Sequence, residues 1–188
     1  PGFGEIFRSP VMLLAMSQYF IVNFTTFLCL TWMLPYLKTR FGLAASEAAL
    51  YAMIPLLLGA TAQWATGTMV DGLYRSRHRV WSRRLPAMVG FGLSAVGIVA
   101  IPWVEDVRVV VGLFTLAAFG AEMTISPSWA FCMDIGGKKS GAISGAMNMM
   151  GNLGSFVSAN LFPVLGAGYF VLVMVLNLYC VAAWYWMR

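Results

Sequence analysis

Apolar residues along this chain gather into long uninterrupted runs instead of alternating or one-sided patterns. Six runs, at residues 10–32, 48–70, 85–104, 109–133, 140–165 and 167–187, reach the roughly 20 residues that cross a bilayer as a helix. Such runs are about twice as long as a barrel strand requires, and backbone in lipid has to satisfy its own hydrogen bonds, so the pattern predicts helices throughout. The expected fold class is all-α: a polytopic membrane protein in which residues 1–188 form a single six-helix transmembrane bundle. Polar residues collect in short gaps that leave no room for a soluble domain or a linker.

Charge orients this bundle. The gap GTMVDGLYRSRHRVWSRR, residues 67–84, holds five of the twelve Lys and Arg residues. With the amino terminus in the cytoplasm, Arg8, Arg75, Arg77, Arg79, Arg83, Arg84, Lys138, Lys139 and Arg188 fall inside, and Lys38, Arg40 and Arg108 outside, nine against three. Both termini are therefore expected to be cytoplasmic. Aromatic residues agree, with Trp32, Tyr36 and Trp103 near outer helix ends and Trp81, Trp184, Tyr185 and Trp186 near inner ones. The gap itself is expected to be a loop between the second and third helices.

Composition adds little that the pattern lacks. The chain is 60% hydrophobic and 10% charged, with a mean hydropathy of +0.78, more apolar than one soluble core needs. A net charge of +5 does not point to nucleic acid, because the basic residues sit between apolar runs and not on an amphipathic face. Cys29, Cys132 and Cys180 are far apart and each lies inside an apolar run, so they read as core side chains and not as a disulfide framework or a metal site. No cleavable signal peptide is expected in the opening residues, which lead straight into a spanning run, and a start at Pro1 hints at a fragment.

Few side chains are left to carry chemistry. Glu122 is the only ionisable acid deep inside an apolar run; burying a carboxylate there costs about 2.5 kcal/mol or more, so it should face water, a partner or a proton. Asn148 and Asn152 stand at i and i+4 with Ser144 and Ser155 on one helix face, able either to bond ligand hydroxyls or to tie helices together. Gly141 and Gly145 make a GxxxG continued by Gly151 and Gly154, a pattern that predicts close helix packing. In the first helix Tyr19, Asn23 and Thr26 form a stripe beside Gln18, lining a pathway or bonding to neighbouring helices. Gln63 and Trp64 are weaker candidates. Ser126, Ser128 and Trp129 flank Pro127, where a kink is expected. No Lys or Arg lies within any run, so an anionic substrate would find no countercharge in this chain. A membrane serine protease, suggested by Ser144 and Gly145, would need an embedded histidine, and His78 lies in the arginine-rich gap.

Gly67, Asp71 and Arg75 resemble the G-x-x-x-D-loop-R signature found between the second and third helices of each half of major facilitator transporters, with Leu73, Tyr74 and Ser76 departing from its tighter Gly-Arg-Arg form. TWMLPYL at residues 31–37 and PSWAFCMDIGGKKSGAISGAMNMMGNLGS at residues 127–155 look like helices seven, ten and eleven of the anion:cation symporter family. The resemblance covers nearly the whole chain, as the C-terminal half of a twelve-helix protein. A loose symmetry between helices one to three and four to six fits the inverted repeats of such halves.

What the resemblance implies is proton- or sodium-coupled symport of a small organic anion, a sugar acid or other carboxylate, in a bacterial inner membrane. Its partners would be that anion, the coupling ion, lipid and a missing N-terminal six-helix half, with no cofactor and no nucleic acid. This half would supply hydroxyl recognition through Gln18, Tyr19, Asn23, Asn148 and Asn152, with Glu122 as a coupling or polar-network residue. Asp71 would cap a helix of the other half, and Arg75 or Arg79 would pair with Asp134 to fasten a cytoplasmic gate. Arg83 and Arg84 are expected only to set topology. The alternative is a six-helix structural or channel-like membrane protein without transport activity of its own.

Overall fold

The computed structural model describes Gly4 and residues 8–187. Arg188, counted above among the inner charges, and most of the stretch before the first helix lie outside the described residues. The helices are α1 (Pro10–Phe27), α2 (Met33–Phe41), α3 (Ala45–Arg75), α4 (Arg79–Val99), α5 (Val107–Met123), α6 (Ile125–Gly136), α7 (Ser140–Leu165) and α8 (Gly168–Trp186), and the described residues contain no strand.

Five stretches are long and apolar enough to cross a membrane: Pro10–Phe41, Ala45–Arg75, Arg79–Trp103, Val107–Leu165 and Gly168–Trp186. The fourth, 59 residues long, doubles back. Cys132 Sγ lies 3.3 Å from Met147 Sδ, whereas fifteen residues of straight helix would separate them by about 22 Å. The reversal is a 3-10 turn at Gly137–Lys139, where Gly137 has φ 49°, a value that a side chain disfavours. With that stretch counted on either side of its turn, the described helices make about six arms.

Two internal irregularities have identifiable causes. A π turn at Leu28–Trp32 joins α1 to α2, one turn ahead of Pro35, which has no N–H to offer the preceding turn. The first arm therefore runs unbroken to Phe41 instead of ending at residue 32, carrying Lys38 and Arg40 as its last basic turn. The fourth arm divides at Thr124, where the amide turns back to the Ala121 carbonyl. Pro127 would clash with the carbonyl of Met123 in a straight helix, so the expected kink is a break.

The arginine-rich gap is mostly helix. α3 continues through Asp71 to Arg75 and α4 opens at Arg79, leaving only residues 76–78 as the link, with Arg77 in the left-handed region at φ 67°. Apolar content marks where a helix is in lipid and says nothing about where its hydrogen bonds stop, so the link is shorter than the polar gap.

α1 occupies the middle of the bundle, between α7, α8 and α5. Phe24 stacks on Tyr169 with centroids 5.1 Å apart, and Leu28, Met33, Phe114 and Phe170 close the same core. A second core joins Ala87 and Phe91 of α4 to Phe131 and Trp184. Buried polar groups tie the arms together: Ser158 Oγ donates to the Phe24 carbonyl at 2.7 Å, and Asn177 Nδ2 donates to Thr25 Oγ1 at 3.0 Å. Cys29, Cys132 and Cys180 are buried among these apolar side chains.

Candidate functional site

A cavity of about 410 Å³ opens between the first arm, α3 and α5, with Thr26, Cys29, Gly59, Gln63 and Glu122 on its wall. Glu122 reaches it from the last turn of α5, just before the break at Thr124. Gln63 Nε2 of α3 donates a short hydrogen bond to the Glu122 carboxylate. Gly59, one turn earlier on α3, makes room for that acid: a Cβ there would lie 3.1 Å from Glu122 Cγ. Ser126 Oγ then donates to the Gln63 carbonyl at 3.3 Å, continuing the seam toward α6. Thr26 contributes a buried hydroxyl with no hydrogen-bond partner among the described residues.

This arrangement holds an acid within a long apolar arm, with no Lys or Arg among the described residues that line the cavity. An amide offers both a donor and an acceptor, so Gln63 can serve Glu122 whether the acid is ionised or protonated. The cavity leaves space for a proton, for water or for the hydroxyl of a bound molecule. Gln63, a weaker candidate in the sequence, is thereby the direct partner of the strongest one.

The α1 stripe divides among three tasks. Tyr19 accepts a hydrogen bond at 3.0 Å from Trp129 Nε1 of α6, and the two rings meet edge to face. Asn23 donates to the Tyr19 carbonyl at 3.0 Å and lies against Gly151, where a Cβ would come within 2.5 Å of its amide nitrogen. Thr26 faces the cavity. Gln18 departs from the expectation that it contacts a ligand. It is fully buried, accepts from Ser128 Oγ at 3.2 Å and from Trp184 Nε1 at 3.4 Å, and donates to the Ala15 carbonyl at 3.0 Å. Its amide is used in packing α1 against α6 and α8.

Asn148 and Asn152 are exposed on the outward face of α7, and Asn152 Nδ2 donates to the Asn148 carbonyl at 3.0 Å. Gly141 and Gly145 share that face and have open space around them, whereas the close contacts with α1 fall to Gly151 and Gly154. The expected GxxxG packing is therefore corrected within this chain: the packed pair begins ten residues later.

At the arginine-bearing end the expected partner of Asp134 changes. Arg83 makes the salt bridge, with Nε 2.9 Å from Asp134 Oδ2. Arg79 lies one turn nearer the start of α4 and stacks on Tyr74 at 5.0 Å, while Arg75 closes α3 and is exposed, as is Asp71. Only a residue one turn inside α4 is opposite the end of α6, and that register is invisible until the helix start at Arg79 is known. Arg84, expected only to set topology, is buried and donates twice to the Met187 carbonyl, at 2.8 and 3.0 Å. His78 lies in the α3–α4 link, 3.3 Å from Ser76 Oγ, and offers no base to Ser144.

Residues 1–159 match the family model described as Major Facilitator Superfamily. Among curated relatives, the chain is 29% identical over 147 residues to the "Probable sulfoacetate transporter SauU" of Cupriavidus necator, covering 78% of this chain and 34% of that protein. It is 25% identical over 162 residues to the "Probable L-galactonate transporter" of Escherichia coli, covering 86% of this chain and 35% of the relative. To the "Probable galactarate/D-glucarate transporter GarP" of the same organism it is 32% identical over 144 residues, covering 76% and 32% respectively. The chain thus spans about a third of the length of the curated relatives it matches. The long apolar helices accord with that match, and the chain belongs to the Major Facilitator Superfamily.

Proposed function

We propose that this chain is the C-terminal half-bundle of a secondary active transporter that moves a small organic anion, a sugar acid or other carboxylate, by proton- or sodium-coupled symport with alternating access. One observation carries the reading. Polar groups stand on cavity-facing or outward sides of otherwise apolar helices, in a chain aligned to about a third of proteins named as organic-acid transporters. Lipid rejects such groups, so they belong to a water-filled pathway or to a second bundle. Asn148, Asn152, Tyr19 and Asn23 would offer amide and hydroxyl contacts to a hydroxylated acid. Glu122, held by Gln63, would carry the coupling proton or remain the anchor of the polar seam. A countercharge for the substrate carboxylate has to come from elsewhere, because no Lys or Arg lies within the apolar runs.

The reading places both termini in the cytoplasm and the protein in a bacterial inner membrane, where nine of twelve basic residues lie inside. The test is uptake of labelled hexonates and aldarates by the full-length protein in vesicles, with an imposed proton or sodium gradient. Gradient-driven accumulation of at least one acid is expected. Glu122→Gln should abolish accumulation yet leave exchange of internal for external substrate, and Asn152→Ala should raise KM about fivefold, the size of one lost hydrogen bond. Failure of every organic anion to move would overturn the proposal and favour a structural module.

A further inference from the structure

A second cavity, of about 670 Å³, opens at the arginine-bearing end between the end of α3, the start of α4, α6 and the end of α8. Arg79, Arg83 and Arg84 of α4 line it, with Asp134 as the only acid among its lining residues. The rest of its lining is mainly apolar, from Val80, Phe131, Ile135, Trp184 and Met187.

Among the described lining residues the charges do not cancel. Arg83 engages Asp134 through Nε and Nη2, and Arg84 gives Nε and Nη2 to the Met187 carbonyl. Arg79 stacks on Tyr74, and its guanidinium has no hydrogen-bond partner among the described residues. Three guanidinium groups against one carboxylate leave two positive charges. The N–H groups of Arg79 and the remaining amino groups of Arg83 and Arg84 are left for an anion. α4, 21 residues long, begins at the same place with no side-chain cap on its first turn, which adds the positive end of its dipole.

Depth in the membrane selects the kind of anion. Trp81 beside the start of α4, and Tyr185 and Trp186 beside Trp184 at the end of α8, are all exposed, as aromatic residues are at the level of lipid headgroups. A pocket at that level with a cationic wall and an apolar wall suits an amphiphile better than a fully hydrated ion. We propose that this cavity binds the phosphate of an anionic phospholipid, with the apolar wall against the glycerol and the first acyl carbons. The site is separate from the Glu122 cavity and does not depend on what the protein transports.

The experiment uses the full-length protein in detergent, titrated with phosphatidylglycerol, with phosphatidylcholine and with inorganic phosphate, and followed by native mass spectrometry and thermal unfolding. Phosphatidylglycerol should be retained and raise the unfolding midpoint, and phosphatidylcholine should do neither. Arg79→Gln should weaken retention about fivefold, the effect of one basic group near a charged surface, and Arg79→Lys less. Since Arg79 is exposed and its guanidinium makes no hydrogen bond to the described residues, only its stacking on Tyr74 is lost, and the unliganded midpoint should fall only slightly, by less than phosphatidylglycerol raises it. Arg40→Gln, at the far end of the first arm, is the control and should leave retention unchanged. Equal retention of both lipids, or equal losses in the Arg79 and Arg40 variants, would overturn the site. Protection by inorganic phosphate as strong as by phosphatidylglycerol would support the anion pocket but overturn its assignment to lipid.

Discussion

The start and the middle of α7 carry the same residue type and do opposite things. Near its middle, Gly154 lies so close to α1 that a Cβ would sit 2.2 Å from the Phe20 carbonyl oxygen, and at Gly151 it would sit 2.5 Å from Asn23 Nδ2. At its start, Gly141 and Gly145 have nothing within 4 Å of the same position. The first pair lets two backbones approach; the second leaves a smooth face beside Asn148 and Asn152. Small residues permit contact, and only a partner on that side turns permission into packing. In the α4–α5 seam the contact is mutual: a Cβ on Gly90 would lie 2.5 Å from the Gly120 carbonyl, and one on Gly120 would lie 2.4 Å from the Gly90 carbonyl.

Substitutions can break this contrast in graded steps. Gly154→Ala should have the largest effect, since neither backbone can yield a full ångström, and the cost of such overpacking is about 1–3 kcal/mol or more. Thermal unfolding in detergent should show a clear drop in midpoint; an unchanged midpoint would mean that α1 and α7 are not in contact as described. Arg83→Gln removes an ion pair whose two side chains are 14% and 48% exposed, a setting in which about 0–1 kcal/mol is usual, so its midpoint should fall only slightly. Gly141→Ala should be the smallest, within about 0.5 kcal/mol, when this chain is measured by itself. If Gly145→Ala in the full-length protein is as costly as Gly154→Ala, the outward face is packed there against another segment, which sharpens the contrast instead of ending it.

How much of this was legible beforehand depended on what each residue's meaning rests on. The six arms follow from apolar length alone, and the break ahead of Pro127 follows from the missing N–H of one residue. Glu122 stood out because a carboxylate in lipid is costly in any fold. What the sequence could not supply was azimuth and register. Nothing in the spacing of Gln18 and Tyr19 says that the first is enclosed between helices while the second meets Trp129. The partner of Asp134 turned on where α4 begins, and three arginines within six residues offer no local reason to prefer Arg83. Gln63 was underrated because an amide in an apolar run gains significance only from the acid that it faces. Asn177 was missed altogether, although it is the one amide in the last apolar run, a signal that was there to use.

The π turn at Leu28–Trp32 acts as an angular offset in the first arm. One extra residue in a turn rotates everything beyond it by roughly 100° about the axis, since an α-helix completes a turn in 3.6 residues. With the offset, Arg40 points at the α4–α5 connection and donates to the carbonyls of Ile101 and Val104 at 3.1 and 3.0 Å, with Tyr36 beside it. Without it, that grip would swing onto another side of the bundle. The far end of the first arm is thus keyed by a single surplus residue, and the two carbonyls that hold Arg40 keep the key from turning.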